Sequence, residues 1–201
     1  TNMRIGIDVD GVLTDICQWQ LDCGSKYSYE HNLKGIVNPY SQETYDVFEL
    51  NKFEDDDFWN KYLYEYIMYE PARKYASEVI KKLKDENNEI YIVTARYETV
   101  KDTPLGEEMR NILKSWLAKN NIYYDKIIYT TENKVPYCID NSIEIMIEDS
   151  PKNIESLSKY IPIICFNSRY NQNCTGNNIT QCFSWYDIYE KISKKSFNTN
   201  L

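Results

Sequence analysis

Met3-Arg4-Ile5-Gly6-Ile7-Asp8-Val9-Asp10-Gly11 is the stretch on which the fold turns. It is a short apolar run with a β-strand pattern that stops abruptly at two acids and a glycine. Four more runs of this kind follow: Ile90 to Val93 ending in Thr94-Ala95-Arg96, Lys126 to Tyr129, Ile143 to Ile147 ending in Glu148-Asp149-Ser150, and Ile161 to Phe166 ending in Asn167. Helical patterns lie between them. Residues 72–84 place Ala76, Val79, Ile80 and Leu83 on one face, and residues 105–120 do so with Met109, Ile112, Leu113, Trp116 and Leu117. Strands alternating with helices predict crossover units and a parallel sheet, an α/β fold. Ligands in such sheets sit beyond the carboxyl ends of the strands, where these polar residues fall.

Residues 15–70 break the alternation, and Glu70-Pro71 restarts it. This interval is rich in aromatics and acids and has short helical patterns such as residues 58–69. It reads as a small, mostly helical insertion after the first strand, over a core of residues 1–14 and 71–201. Its aromatics, including Trp19, Tyr27, Tyr29, Tyr45, Phe48 and Trp59, either stack on a planar ligand or form the insertion's own core. Glu54, Asp55, Asp56 and Asp57 are expected to be a solvated face. Residues 169–180 read as a polar loop, and residues 185–193 as a short helix.

The 201 residues carry a net charge of -8, with 42% hydrophobic residues. So acidic a chain is a poor partner for long nucleic acids or anionic membranes, which need clustered Lys and Arg. No apolar run approaches the roughly 20 residues of a membrane span, and no secretory leader is visible. The six cysteines lack metal-ligand spacing and are expected to be free thiols in a cytoplasmic protein.

Asp8 and Asp10 end the first strand. Two neighbouring carboxylates repel, so a magnesium ion held by one of them is a natural partner; the alternative is a simple Asp10-Gly11 turn with Asp8 as a strand-end cap. Glu148-Asp149 adds a second acidic strand end, which suggests a shared divalent-cation site of hard oxygen ligands. Ser150 and Pro151 have the pattern of an N-cap and a first-turn proline. Thr94 either donates its hydroxyl to a phosphate or is structural, and composition does not rank Lys134 above Lys126. His31, the single histidine, reads as structural or surface.

In order, these residues resemble the four motifs of the haloacid dehalogenase superfamily. Asp8-Val9-Asp10-Gly11-Val12-Leu13-Thr14-Asp15 matches the first, Thr94 after Ile90-Tyr91-Ile92-Val93 the second, Lys134 the third, 14 residues before Glu148, and Glu148-Asp149 the fourth. The resemblance implies a Rossmann-like three-layer core with a helical cap. It implies a magnesium-dependent phosphatase with Asp8 as nucleophile, forming an aspartyl-phosphate, and Asp10 as general acid and base. Thr94, Ala95 and Lys134 would hold the phosphoryl group. Asp8, the Asp10 carbonyl and Asp149 would bind magnesium, with Glu148 behind them or sharing the role. The second aspartate favours phosphate chemistry, because dehalogenases of the superfamily lack it.

The place and length of the insertion are similar to those of the 5'(3')-deoxyribonucleotidase branch and its bacterial relatives. A small phosphate ester, foremost a nucleoside or deoxynucleoside monophosphate, is therefore the expected partner. Arg96 would either reach substrate or pair with an acid in the core. A sugar-phosphate phosphatase, a phosphotransferase and a catalytically idle phospho-ligand or protein-binding member are the alternatives.

Overall fold

The structure, a computed structural model, describes residues 3–199. Six parallel strands form one sheet: β1 (Arg4–Ile7), β2 (Glu89–Thr94), β3 (Lys126–Tyr129), β4 (Ile145–Glu148), β5 (Ile163–Phe166) and β6 (Ile179–Cys182), in the order β3-β2-β1-β4-β5-β6. β1 is central, with Ile5 opposite Ile90 on one side and Ile145 on the other. The chain winds away from β1 in both directions, so the crevice beyond β1 and β4 is the topological switch point.

Alternation along the strands builds a core on each face. Ile5, Ile7, Ile145, Ile147, Ile164 and Phe166 point to one face. There they meet α4 (Ala76–Asp85), α5 (Pro104–Lys119) and α8 (Trp185–Ser193). Met146, Ile163 and Cys165 point the other way, towards α6 (Val135–Asp140) and α7 (Pro151–Leu157). Three layers result. Full burial of side chains such as Ile80 and Leu83 contributes about 1.5–3 kcal/mol each. Gly6 leaves room for the opposite layer, since a Cβ there would lie 2.6 Å from the Met146 sulfur.

Two sequence expectations change. β6 begins inside the stretch expected to be loop, because Ile179-Thr180-Gln181-Cys182 pairs with β5 as a four-residue edge strand, too short for its alternation to stand out. α4 begins at Ala76 rather than Ala72. Residues 72 and 73 instead form a neck: Ala72 bridges to Thr14, and the Arg73 amide donates to the Leu13 carbonyl at 2.7 Å. The Arg73 side chain donates to the carbonyls of Thr14 and Gly11, both at 3.1 Å, with its guanidinium 3.9 Å from the Phe166 ring centre.

Between Thr14 and Ala72 run α1 (Ile16–Glu30), α2 (Thr44–Val47) and α3 (Lys52–Tyr69). Trp19, Tyr27, Phe48, Phe58 and Tyr62 form their shared core, while Tyr29 and Tyr45 are exposed. α3 packs on α5, whose Met109 joins this core as its Leu113 and Leu117 join the central one. The acids at the start of α3 are more than a solvated face. Glu54 and Asn51 make a reciprocal capping box, and Asp57 accepts from the Tyr27 hydroxyl at 2.8 Å. His31 stacks on Tyr27 at the surface. No described helix is long and apolar enough to cross a membrane.

Candidate active site

The switch point gathers residues from four strand ends. Asp8 follows β1 with its amide bonded to the Ile147 carbonyl at 3.1 Å. The chain then turns at Gly11, whose φ of +94° only glycine adopts freely. A Cβ at Gly11 would lie 1.8 Å from an Asp149 carboxylate oxygen, so the glycine also makes room for that acid.

Lys134 is the lysine that the fold brings to Asp8. It stands before α6, is 1% exposed, and donates to Asp8 Oδ1 at 2.8 Å, Glu148 Oε2 at 2.9 Å and the Val93 carbonyl at 3.2 Å. Lys126 lies elsewhere, bonded to Asn141. Burial alone would lower the Lys134 pKa, but the Asp8 and Glu148 charges raise it well above the usual lysine value. Glu148 is engaged at both oxygens. Its other oxygen accepts the amides of Asp149 and Ser150 at 3.0 and 3.2 Å, so it anchors Lys134 and the strand end.

Asp8, Glu148 and Asp149 each place a carboxylate oxygen within 4.8 Å of the others. Three carboxylates against one ammonium leave two negative charges in a buried site, which a divalent cation cancels. Hard oxygen donors suit magnesium, and because Glu148 is the only one of the three with hydrogen bonds at both oxygens, Asp8 and Asp149 are the freer donors. The residues present fit that ion. Without it, burial and then the Glu148 charge raise the Asp8 pKa well above normal, and the same two causes push Asp149 up to about 8.

A pH dependence follows. A carboxyl that holds its proton more tightly folded than unfolded adds stability when protonated. That contribution is complete below the ordinary value of 3.8 and is lost as pH rises through about 8. Metal-free protein is expected to melt at progressively lower temperature from about pH 5 to about pH 9 in EDTA, with magnesium flattening the decline. A melting temperature that rises across this range in EDTA would contradict the uncompensated triad.

Asp10 is held differently. Arg96 donates to it from Nη2 at 2.6 Å and Nε at 3.2 Å, and the Tyr66 hydroxyl, reaching down from α3, donates at 2.6 Å. Burial would raise the Asp10 pKa; the Arg96 charge and these hydrogen bonds reverse that and lower it. Tyr66 in turn accepts from Thr14 at 2.7 Å. Arg96 therefore pairs with an acid, one of the two fates its position allowed, and its Nη1 is buried with no partner. Thr94 is buried, and its hydroxyl oxygen accepts the Arg96 amide at 3.1 Å. Ala95 lines the same cavity. Ser150 precedes Pro151 as expected but makes no side-chain cap; its hydroxyl meets Gln42 Oε1 at 3.2 Å.

A family model described as 5' nucleotidase, deoxy (pyrimidine), cytosolic type C protein matches residues 2–197. The chain belongs to this family. A nucleotidase of Clostridium acetobutylicum is 29% identical over 194 residues, covering 96% of this chain and 94% of that one. Two solved structures share the fold. A Clostridium acetobutylicum protein described as a predicted phosphatase has a TM-score of 0.63 at 15% identity, over 96% of this chain and 98% of its own. A haloacid dehalogenase-superfamily hydrolase from Geobacter sulfurreducens has a TM-score of 0.58 at 12% identity, over 94% and 95%. The protein is thus a phosphatase of nucleotidase type, with a fold it shares with a haloacid dehalogenase-superfamily hydrolase.

For this nucleotidase-family member, sequence reading missed Tyr66, whose hydroxyl meets Asp10, and Tyr170, from the loop after β5, whose hydroxyl donates to Asp149 Oδ2. Tyr66 falls on the apolar stripe of α3 with Phe58 and Tyr62, and nothing in that spacing marks a hydroxyl that reaches Asp10.

Proposed function

We propose that the protein hydrolyses nucleoside or deoxynucleoside monophosphates through a phosphorylated Asp8, with magnesium bound by Asp8, Asp149 and the Asp10 carbonyl. The observation that carries this reading is the division of labour between two aspartates two residues apart. Asp8 faces Lys134 and the acidic triad, and Asp10 faces Arg96 and the helical insertion.

In the first half-reaction an Asp8 oxygen attacks phosphorus, the ester P–O bond breaks, and the departing alkoxide takes a proton from Asp10. In the second, water attacks phosphorus, Asp10 takes its proton, and the bond to Asp8 breaks to release phosphate. Asp10 is ionised in the free site, the state needed for the second half. An arriving phosphate raises its proton affinity by like-charge repulsion and competes for Arg96, which prepares the first half. Lys134 places its charge beside the attacking oxygen. Bound magnesium would offset the charge of Asp8 and of the phosphate, so that nucleophile and substrate can approach.

The cavity above these residues has a volume of about 980 Å³, ample for a nucleotide. On the insertion side it is lined by Trp59, backed by Trp19 and Phe58, and by Gln42, Asn60, Glu43 and Asp56. An aromatic ring beside amide side chains suits a nucleobase. Arg96 and Lys134 are the cations among the described lining residues, and both already pair with carboxylates. A second phosphate would face the Glu43 and Asp56 carboxylates, the latter paired with Lys52 at 3.0 Å, and would meet no unpaired cation among the described lining residues, which favours monophosphates.

The test is phosphate release with magnesium from nucleoside monophosphates, 3',5'-bisphosphates and sugar phosphates. Monophosphates of nucleosides are expected to be preferred, and Asp10→Asn to slow their turnover about 10²–10⁴-fold. Preference for a sugar phosphate would overturn the substrate assignment. No release from any compound would move the reading to a binding role.

A further inference from the structure

The loop after β5, expected from sequence to be an ordinary polar connection, joins the insertion to the metal-binding carboxylate. Arg169 reaches into the insertion. Its Nη1 donates to the Cys17 carbonyl at 2.8 Å, and its Nη2 donates to Gln20 Oε1 and to the Ser41 carbonyl at 3.4 Å. The next residue, Tyr170, turns to the core and donates its hydroxyl to Asp149 Oδ2. Asn171, 1% exposed, locks the loop: its amide donates to the carbonyls of Asp149 at 2.9 Å and Phe166 at 2.8 Å, and its oxygen accepts the Ser168 amide at 2.8 Å.

The connection closes on itself. Gln20 Nε2 donates to the Gln42 carbonyl at 2.9 Å, and the Gln42 side chain meets the Ser150 hydroxyl, next to Asp149. From Asp149 the path runs through Tyr170, Arg169, Gln20, Gln42 and Ser150 and returns, crossing twice between core and insertion. Most of its members are buried or half-buried, where a hydrogen bond is costly to break without replacement.

We propose that Tyr170 is a positioning residue that fixes the Asp149 carboxylate for the metal, and that Arg169 makes its placement depend on the seating of the insertion. The physical reason is the one that governs residues behind metal ligands. A carboxylate held at one oxygen presents the other in a fixed direction, and loss of the holding group weakens metal binding. Because Arg169 and Tyr170 are adjacent, a shift of α1 relative to the core is transmitted to Asp149 through one peptide unit. Metal binding and closure of the insertion over substrate then favour each other.

This inference rests on the magnesium reading above, and its test needs no substrate. Magnesium or manganese is titrated calorimetrically into substrate-free protein, with melting temperatures measured alongside. Tyr170→Phe, which removes one hydroxyl, is expected to weaken binding about tenfold or more. Arg169→Met, which touches no metal ligand, is expected to weaken it at least about fivefold. Gln20→Met breaks the path from the insertion side and should act in the same direction, which serves if Arg169→Met fails to fold. Amide exchange in α1 should slow on metal addition in the parent and not in Arg169→Met. Parent-like affinity in folded Tyr170→Phe overturns the positioning role. Parent-like affinity in Arg169→Met or Gln20→Met overturns the coupling. A parent protein that binds neither ion overturns the magnesium reading itself, whereas parent binding with unchanged variants overturns this inference alone.

Discussion

Asp8→Asn is expected to abolish phosphate release, by about 10⁴-fold or more, while raising the melting temperature of the metal-free protein. The two effects have one origin. The carboxylate is the proposed nucleophile, and asparagine has the same shape without nucleophilic charge. Its carbonyl oxygen can still accept from Lys134, now 2.8 Å from Asp8 Oδ1, and Lys134 keeps Glu148 as its counter-ion, so the contact is weakened but not broken. What the site loses is an unfavourable charge. Burial and the neighbouring Glu148 hold the Asp8 pKa well above its ordinary value, so ionising Asp8 near neutral pH costs stability that the neutral amide does not. Phosphate release and thermal melting in EDTA read the two effects separately. Parent-like turnover would sink the covalent mechanism, and a markedly lower melting temperature would contradict the electrostatic account.

Lys134→Met should do the opposite to stability, and by more. Removing one member of a buried ion pair leaves the other charge uncompensated, at a cost of about 3–5 kcal/mol. Here two carboxylates would be orphaned, Asp8 and the fully buried Glu148. Burial on its own would raise the Glu148 pKa; the charge and hydrogen bond of Lys134 hold it below normal instead. With methionine in place, that pKa would rise above its unfolded value, so the variant should lose stability as pH climbs and recover it on acidification. Activity should fall as well, because the charge beside the attacking oxygen is gone. Urea denaturation at two pH values checks the claim. A variant as stable as the parent would mean that Glu148 finds another partner.

The two variants bracket the site. One removes surplus negative charge and the other removes the cation that tempers it, so opposite shifts in stability with a shared loss of turnover would separate chemistry from folding.

The sequence by itself determined the parallel α/β fold and the polar ends of its strands, because both depend on local patterns. Ile5 and Ile7 alternate about Gly6, and the apolar runs stop at Asp8, Thr94 and Glu148. A strand's period and its polar terminus are carried within a few residues, so they survive without tertiary knowledge. β6 escaped because four residues at a sheet edge carry too little pattern. Only the tertiary structure decided which lysine meets Asp8, since Lys134 and Asp8 are 126 positions apart and Lys126 has the same chemistry. It also decided that Arg96 pairs with Asp10, and that Tyr66 and Tyr170 bring hydroxyls to Asp10 and Asp149. In a chain with 19 tyrosines, Tyr66 and Tyr170 are set apart by where the fold delivers their hydroxyls. Long-range contacts are set by packing between elements, and no local spacing encodes them.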